Sequence, residues 1–140
     1  MHDWNTLKDR IRGWGQELGF AAVGFAGVDL GDAEQGLLDW LAADYHGAMD
    51  YMARHGTKRA RPAELVPGTQ AVICCRMDYL TDACRPVSAD FGEVSRYARG
   101  RDYHKLLRHH LQKLADRITT EIGDFGYRVF TDSAPLMEVE

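Results

Sequence analysis

Two segments of this chain bring ionisable side chains together with sharp turns. The first is Ser95-Arg96-Tyr97-Ala98-Arg99-Gly100-Arg101-Asp102-Tyr103-His104-Lys105. A glycine there leads into a helix start that carries a carboxylate, a phenol and an imidazole. A helix N-terminus presents unpaired N–H groups and the positive end of the dipole, so this spacing could hold an anion such as a phosphate. A plainer reading stands beside it: Asp102 caps the helix and Tyr103 anchors it in the core. The second segment is Phe130-Thr131-Asp132-Ser133-Ala134-Pro135. A carboxylate just past an apolar strand is poorly solvated, which favours its protonated form and suits a general acid near neutral pH. Pro135 stiffens the exit and keeps Ala134 extended. Here too a simple Asp-Ser turn after a strand is the plainer alternative.

Other chemistry finds less support. The sequence has no GxGxxG, P-loop, HExxH or GxSxG motif. His109 and His110 are adjacent rather than four apart, so they do not form a helical metal pair, and no metal site is expected. Cys74 and Cys75 point to opposite faces if they lie in a strand, and Cys84 stands alone. Three cysteines without a CxxC pair argue against a disulfide framework and against an iron–sulfur or zinc site in this chain. Cys74 and Cys75 therefore read as core or near-core packing residues. Met49 and Met52, flanking Tyr51, read as packing too. Glu34, Asp39, Asp116 and Arg117 read as ordinary helix surface.

The elements that must position these groups follow from periodicity. Asp3 is an N-cap for a helix in which Trp4, Leu7, Ile11, Trp14 and Leu18 recur at spacings of three and four, with Gly19 closing it. Residues 20–26 suit a buried strand. A helix over 33–43 and a shorter one over 48–54 follow, then a basic, proline-containing stretch ending at Pro67-Gly68. Residues 70–77 make the clearest strand, and 80–93 a loop. Asp102 caps the longest helix, striped by Tyr103, Leu106, Leu107, Leu111, Leu114, Ile118 and Ile122 and closed by Gly123. Residues 127–131 read as a third strand that delivers Asp132 to its edge. These elements predict an α+β fold, layered helices on a small mixed sheet, in a single compact unit without linkers or repeats. The sequence stops soon after a strand end, at Leu136-Met137-Glu138-Val139-Glu140, and reads as an interrupted fold.

At 140 residues the chain can bury one core, and its 27% charged content is that of a soluble domain. It contains no signal-peptide pattern and no apolar run long enough for a membrane span, so a cytoplasmic address is expected. The net charge of −4 argues against a general polyanion binder. Two basic clusters nevertheless occur, at 54–61 and at 96–110. Either could meet phosphates or lie as a solvated face.

Read in order, these blocks resemble the N-terminal region of epoxyqueuosine reductases. The resemblance runs through Leu18-Gly19-Phe20 with Val23-Gly24, Trp40-Leu41, Tyr45-His46-Gly47-Ala48-Met49-Asp50-Tyr51-Met52 and Lys58-Arg59 with Pro62, Leu65, Val66, Pro67 and Gly68. It continues through Tyr97–Lys105 and ends at Val129–Pro135. It implies a nitroreductase-like, cobalamin-binding region of an oxidoreductase that reduces epoxyqueuosine to queuosine in the anticodon loop of tRNA, the last step of queuosine synthesis. Electrons would come from a donor through two [4Fe–4S] clusters held by CxxCxxCxxxCP runs. This sequence lacks such runs, which implies that the iron–sulfur domain is absent and that the segment alone is inactive. By resemblance Asp132 is the proton donor. Arg59, Ser95, Tyr97, Asp102, Tyr103, His104 and Ser133 line the cofactor or substrate pocket, and Arg99, Arg101 and Lys105 take corrinoid amides or tRNA phosphates. Two other readings remain beside this one: a non-catalytic cobalamin- or tRNA-binding module, and a flavin-dependent nitroreductase-like enzyme.

Overall fold

Asp3 caps the first helix of the chain. In the computed structural model, which describes residues 3–79, 90, 92–132 and 134–137, the Asp3 carboxylate accepts a hydrogen bond from the Asn5 N–H at 3.0 Å. That satisfies one of the donors a helix leaves unpaired at its start. The helix, α1 (Trp4–Glu17), buries Leu7, Ile11 and Gly15 along one stripe. Gly19 then turns the chain at a φ of 89°, a left-handed conformation that glycine adopts without a Cβ penalty. The remaining elements are β1 (Ala22–Ala26), α2 (Asp32–Ala42), α3 (Tyr51–Arg54), α4 (Pro62–Leu65), β2 (Val72–Arg76) and α5 (Tyr103–Ile122), with 3-10 turns at Gly56–Arg59 and Arg96–Ala98. This is the expected α+β composition.

Two compact units emerge where the sequence suggested one: Met1–Gly24 with Cys75–Thr131, and Phe25–Cys74 with Asp132–Glu140. Each is assembled from segments distant in sequence, so no linker marks a boundary. In the first, α1 packs on α5. The buried Leu7, Ile11 and Phe20 belong to one side of that unit's core and Leu114, Ala115 and Ile118 to the other. Its rim carries two ion pairs, Arg10 with Glu121 and Arg117 with Glu17. Leu106, expected within the apolar stripe of α5, is instead exposed. In the second unit Leu37 of α2, Ala60 and Pro62 are buried.

The sheet has two strands, β1 beside β2. Residues 127–131 adopt no strand, which corrects the expectation of a third. Their aromatic and β-branched side chains suit a strand, but a strand also needs a neighbouring ladder to take its N–H and C=O groups. Cys74 is exposed rather than a packing residue, whereas Cys75 is half-buried, the alternation a strand imposes. Met49 is also exposed, and the Tyr51 hydroxyl donates to its sulfur. Among the described residues, no helix is long and apolar enough to cross a membrane.

Glycine 15 sets how closely α1 meets the chain returning through β1. A Cβ added there would lie 2.4 Å from Val23 Cγ2, and valine's stiff χ1 gives that methyl little room to move. A Cβ added at Gly13, two residues earlier in the helix, would meet nothing within 4 Å. Gly13→Ala should therefore raise stability by roughly 0.5–1 kcal/mol through helix propensity. Gly15→Ala should lower it, because overpacking of about 1–3 kcal/mol outweighs that gain. Urea denaturation of the two variants checks this; equal midpoints would show that α1 does not depend on the close approach.

Candidate functional site

The residues singled out by sequence fall into the two units. In the first, Ser95 opens the 3-10 turn, its carbonyl accepting from the Ala98 N–H at 3.0 Å. Gly100, at a φ of 96°, reverses the backbone between this turn and α5. Asp102 then caps α5 as expected: its carboxylate accepts from the His104 N–H at 3.0 Å and lies 3.0 Å from His104 Nδ1. The backbone bond, followed by the side-chain bond to His104, holds the Asp102 carboxyl below the usual carboxylate range. Asp102 thus fixes both the helix start and the imidazole on it, so the capping and site readings of this residue are compatible.

The ring of His104 stacks on Tyr103 with centroids 4.2 Å apart. Tyr103 meets Tyr97 edge-on at 6.1 Å, and Tyr97 meets Tyr79 in the same way at 6.2 Å. Tyr97, Asp102, Tyr103 and His104 are therefore brought together, and Tyr79 joins them although no spacing rule pointed to it. Arg99 is committed within its own loop, donating from Nε to the Val94 carbonyl at 2.7 Å and from Nη2 to Glu93 at 2.8 Å. Arg101 and Lys105 are exposed.

Arg59 and Asp132 belong to the second unit. The Arg59 guanidinium donates to the Met52 carbonyl at 3.1 Å and the Tyr51 carbonyl at 3.0 Å, and lies 6.0 Å from the Tyr51 ring centroid. It closes the C-terminal end of α3, where carbonyls lack helical partners. Arg61 bridges Glu34 at 2.8 Å and Glu64 at 2.9 Å. Its proton is held more tightly than usual by Glu34 first and Glu64 second, and Glu34 is a cross-element tether rather than ordinary helix surface. Two arginines of the basic cluster at 54–61 are thereby occupied in holding the unit together. The Met137 N–H donates to the Arg59 carbonyl at 2.8 Å, which ties the segment following Asp132 to the Arg59 turn.

Asp132 itself is exposed in a turn. The expectation that an apolar strand end would strip it of water is thus corrected: the strand is not formed, and the carboxylate lies at the surface. Just before it, Thr131 Oγ1 is buried with no hydrogen-bond partner among the described residues, an unmet polar group that sequence reasoning passed over. Ser133 lies outside the described residues, as does Cys84. Among the described residues no group of three or more His, Cys, Asp or Glu side chains is placed to hold a metal ion.

Comparison with known proteins adds a second line of observation. Residues 59–133 match the family described as epoxyqueuosine reductase QueG, DUF1730. An epoxyqueuosine reductase of Alicycliphilus denitrificans is 57% identical, over 97% of this chain and 41% of the relative. One from Pseudomonas aeruginosa is 57% identical over 94% of this chain and 38% of its own length. The Escherichia coli protein of that name is 50% identical over 97% and 37% respectively. The chain thus spans about two fifths of the length of these curated relatives. No solved structure matches it.

The Asp102 cap yields a pH dependence with a definite sign. Because folding lowers this carboxyl's pKa, its stabilising contribution is complete above the ordinary carboxylate range and fades as pH falls through the lowered value. Asp102→Asn keeps a capping acceptor and should remove that acid-side loss, whereas Asp102→Ala should loosen the first turn of α5 at every pH. Hydrogen exchange at the His104 amide, followed from neutral to acidic pH, reports it. Identical protection in the alanine variant and the parent would refute the cap.

Proposed function

Because the chain belongs to the epoxyqueuosine reductase QueG family, we propose that it forms the cofactor- and substrate-facing part of an oxidoreductase that reduces epoxyqueuosine to queuosine in a tRNA anticodon loop. The observation that carries this reading is the match over 59–133, which spans Arg59, the whole 95–105 segment and Asp132. In this reading the enzyme works in the cytoplasm, where an electron donor supplies it, and the iron–sulfur clusters lie in the rest of a longer protein. The three cysteines of this chain do not fit a cluster, lacking the CxxC spacing that would bring ligands onto one ion.

Cobalamin fits the residues present. A corrin ring is broad and planar with amides around its rim, so it calls for aromatic faces together with donors and acceptors. The stacked Tyr103 and His104 supply faces, Lys105 supplies a donor, and the unmet Thr131 hydroxyl is a ready partner for an amide. Arg59 and Ser133 are proposed as further cofactor-binding residues of a nitroreductase-like region. When bound, cobalamin would supply electrons at a potential low enough to open an epoxide.

Removing the epoxide oxygen as water consumes two electrons and two protons. The C–O bonds break only if the departing oxygen is neutralised, because an alkoxide or hydroxide is a poor leaving group. Asp132 is the group of this chain assigned to deliver a proton to that oxygen. Asp132 is exposed here, and bound cofactor and nucleoside would displace water from it. Asp102 would hold the imidazole of His104 in a fixed orientation at the pocket edge.

Asp132→Asn in the full-length protein should lower turnover by about 100- to 10,000-fold, the usual weight of a general acid, while the visible spectrum of bound cobalamin stays unchanged. Turnover at the parent rate would remove Asp132 from the mechanism. A flavin band in place of a corrinoid one would overturn the cofactor assignment. Binding of tRNA should also weaken steeply with rising salt.

A further inference from the structure

We propose that Tyr79 and Tyr97 form a platform on which unpaired bases of an RNA loop stack, a reading that rests on the tRNA substrate proposed above and assigns its contact to named rings. Four rings run in series from Tyr79 through Tyr97 and Tyr103 to His104. The inner end is fixed, since Asp102 holds His104 and His104 stacks on Tyr103. The outer end is open: Tyr79 is 63% exposed and Tyr97 52% exposed. Both contacts of Tyr97 are edge-on, at 73° to Tyr79 and 83° to Tyr103. A T-shaped contact covers one face of one ring of the pair, less than a stack would, and both tyrosines keep more than half of their surface open.

Charge points to the occupant. Over residues 92–110 there are five Lys or Arg against two carboxylates, in a chain whose net charge is −4. Arg99 is occupied by Glu93 and the Val94 carbonyl. Arg101 and Arg108 are exposed and make no ion pair among the described residues. Lys105 is exposed close enough to Asp102 to favour its charged form. Exposed rings interleaved with cations suit single-stranded nucleic acid, whose bases offer π-faces and whose backbone offers phosphates. A protein partner docking through hydrophobic contact would instead want a continuous apolar patch without charges in its middle. Base pairs of a duplex keep their faces buried in the stack, so a loop or another unpaired stretch is the target.

The test uses the full-length protein and two fluorescently labelled, unmodified RNAs, a short hairpin with an open loop and a blunt duplex of the same charge, read by anisotropy. The hairpin should bind more tightly than the duplex. Tyr79→Ala and Tyr97→Ala should each weaken hairpin binding by about 5- to 150-fold, the range of a lost base stack, with little effect on the duplex. Tyr79→Phe and Tyr97→Phe keep the ring and should bind like the parent. Arg101→Ala should weaken both RNAs and flatten the salt dependence. Because both tyrosines are more than half exposed, the alanine variants should fold, which circular dichroism verifies. If the hairpin binds but neither alanine variant weakens it, the platform is wrong and the tRNA reading survives. If those variants lose cobalamin instead of RNA, the rings belong to the corrinoid and the platform is again wrong. If the parent binds neither RNA, the tRNA reading of this region falls with it.

Discussion

The docking of α1 on α5 is the contact on which the 95–105 segment depends. Among the described residues few side chains are deeply buried, and in the first unit they are concentrated on α1, on the turn at Phe20 and on the middle of α5. A helix of 20 residues is too long to be held at one point, so the packing at Leu114, Ala115 and Ile118 sets its axis. The ion pairs of Arg10 with Glu121 and of Arg117 with Glu17 add little energy at the surface, but they resist rotation of one helix about the other. With the axis set, the N-terminus of α5 is set, and with it Asp102, Tyr103 and His104. The site residues are thus positioned from about three to four helical turns away, by groups that have no chemistry of their own.

The second unit shows a different use of charge. A cluster of cations at 54–61 looks, as a string of letters, like a surface waiting for phosphate. In the fold Arg59 spends two donors on carbonyls at the end of α3, and Arg61 bridges two carboxylates from separate helices. Arginine suits this work because its planar fork satisfies several acceptors at once. The cost is that neither side chain is idle. A ligand that recruits Arg59 must compete with the Tyr51 and Met52 carbonyls or use the guanidinium edge they leave. This gives the Arg59 turn a structural purpose independent of any ligand, and the Met137 tie carries that rigidity into the segment that follows Asp132.

What could be read in advance tracks how local each signal is. Asp3, Gly19, Asp102 and Gly123 act on their own neighbours, so α1 and α5 were legible to within a residue or so. The strands at 22–26 and 72–76 were legible because their apolar runs pair with one another. The 127–131 run carries the same local signal without a described partner, and periodicity cannot distinguish the two cases. Cys74 and Cys75 illustrate the same gap: the alternation was certain from strand geometry, but which of the two faced inward was not. Tyr79 was invisible for another reason. It lies beyond the end of β2, and only the three-dimensional path of the chain brings its ring to Tyr97.

Asp132 carries the sharpest consequence of this division between local and distant. The residue type and its place beside Thr131 were readable, yet the property that would make it an acid is not a property of the segment. A general acid needs a surrounding that excludes water, and here no strand end supplies one. The groups that could are the ones an active complex would bring: a broad planar cofactor, a bulky modified nucleoside, or more of the protein. The buried Thr131 hydroxyl, one residue away, lacks a hydrogen-bond partner among the described residues. In the proposed enzyme the surroundings of the acid would therefore be completed by assembly, when substrate and cofactor are in place.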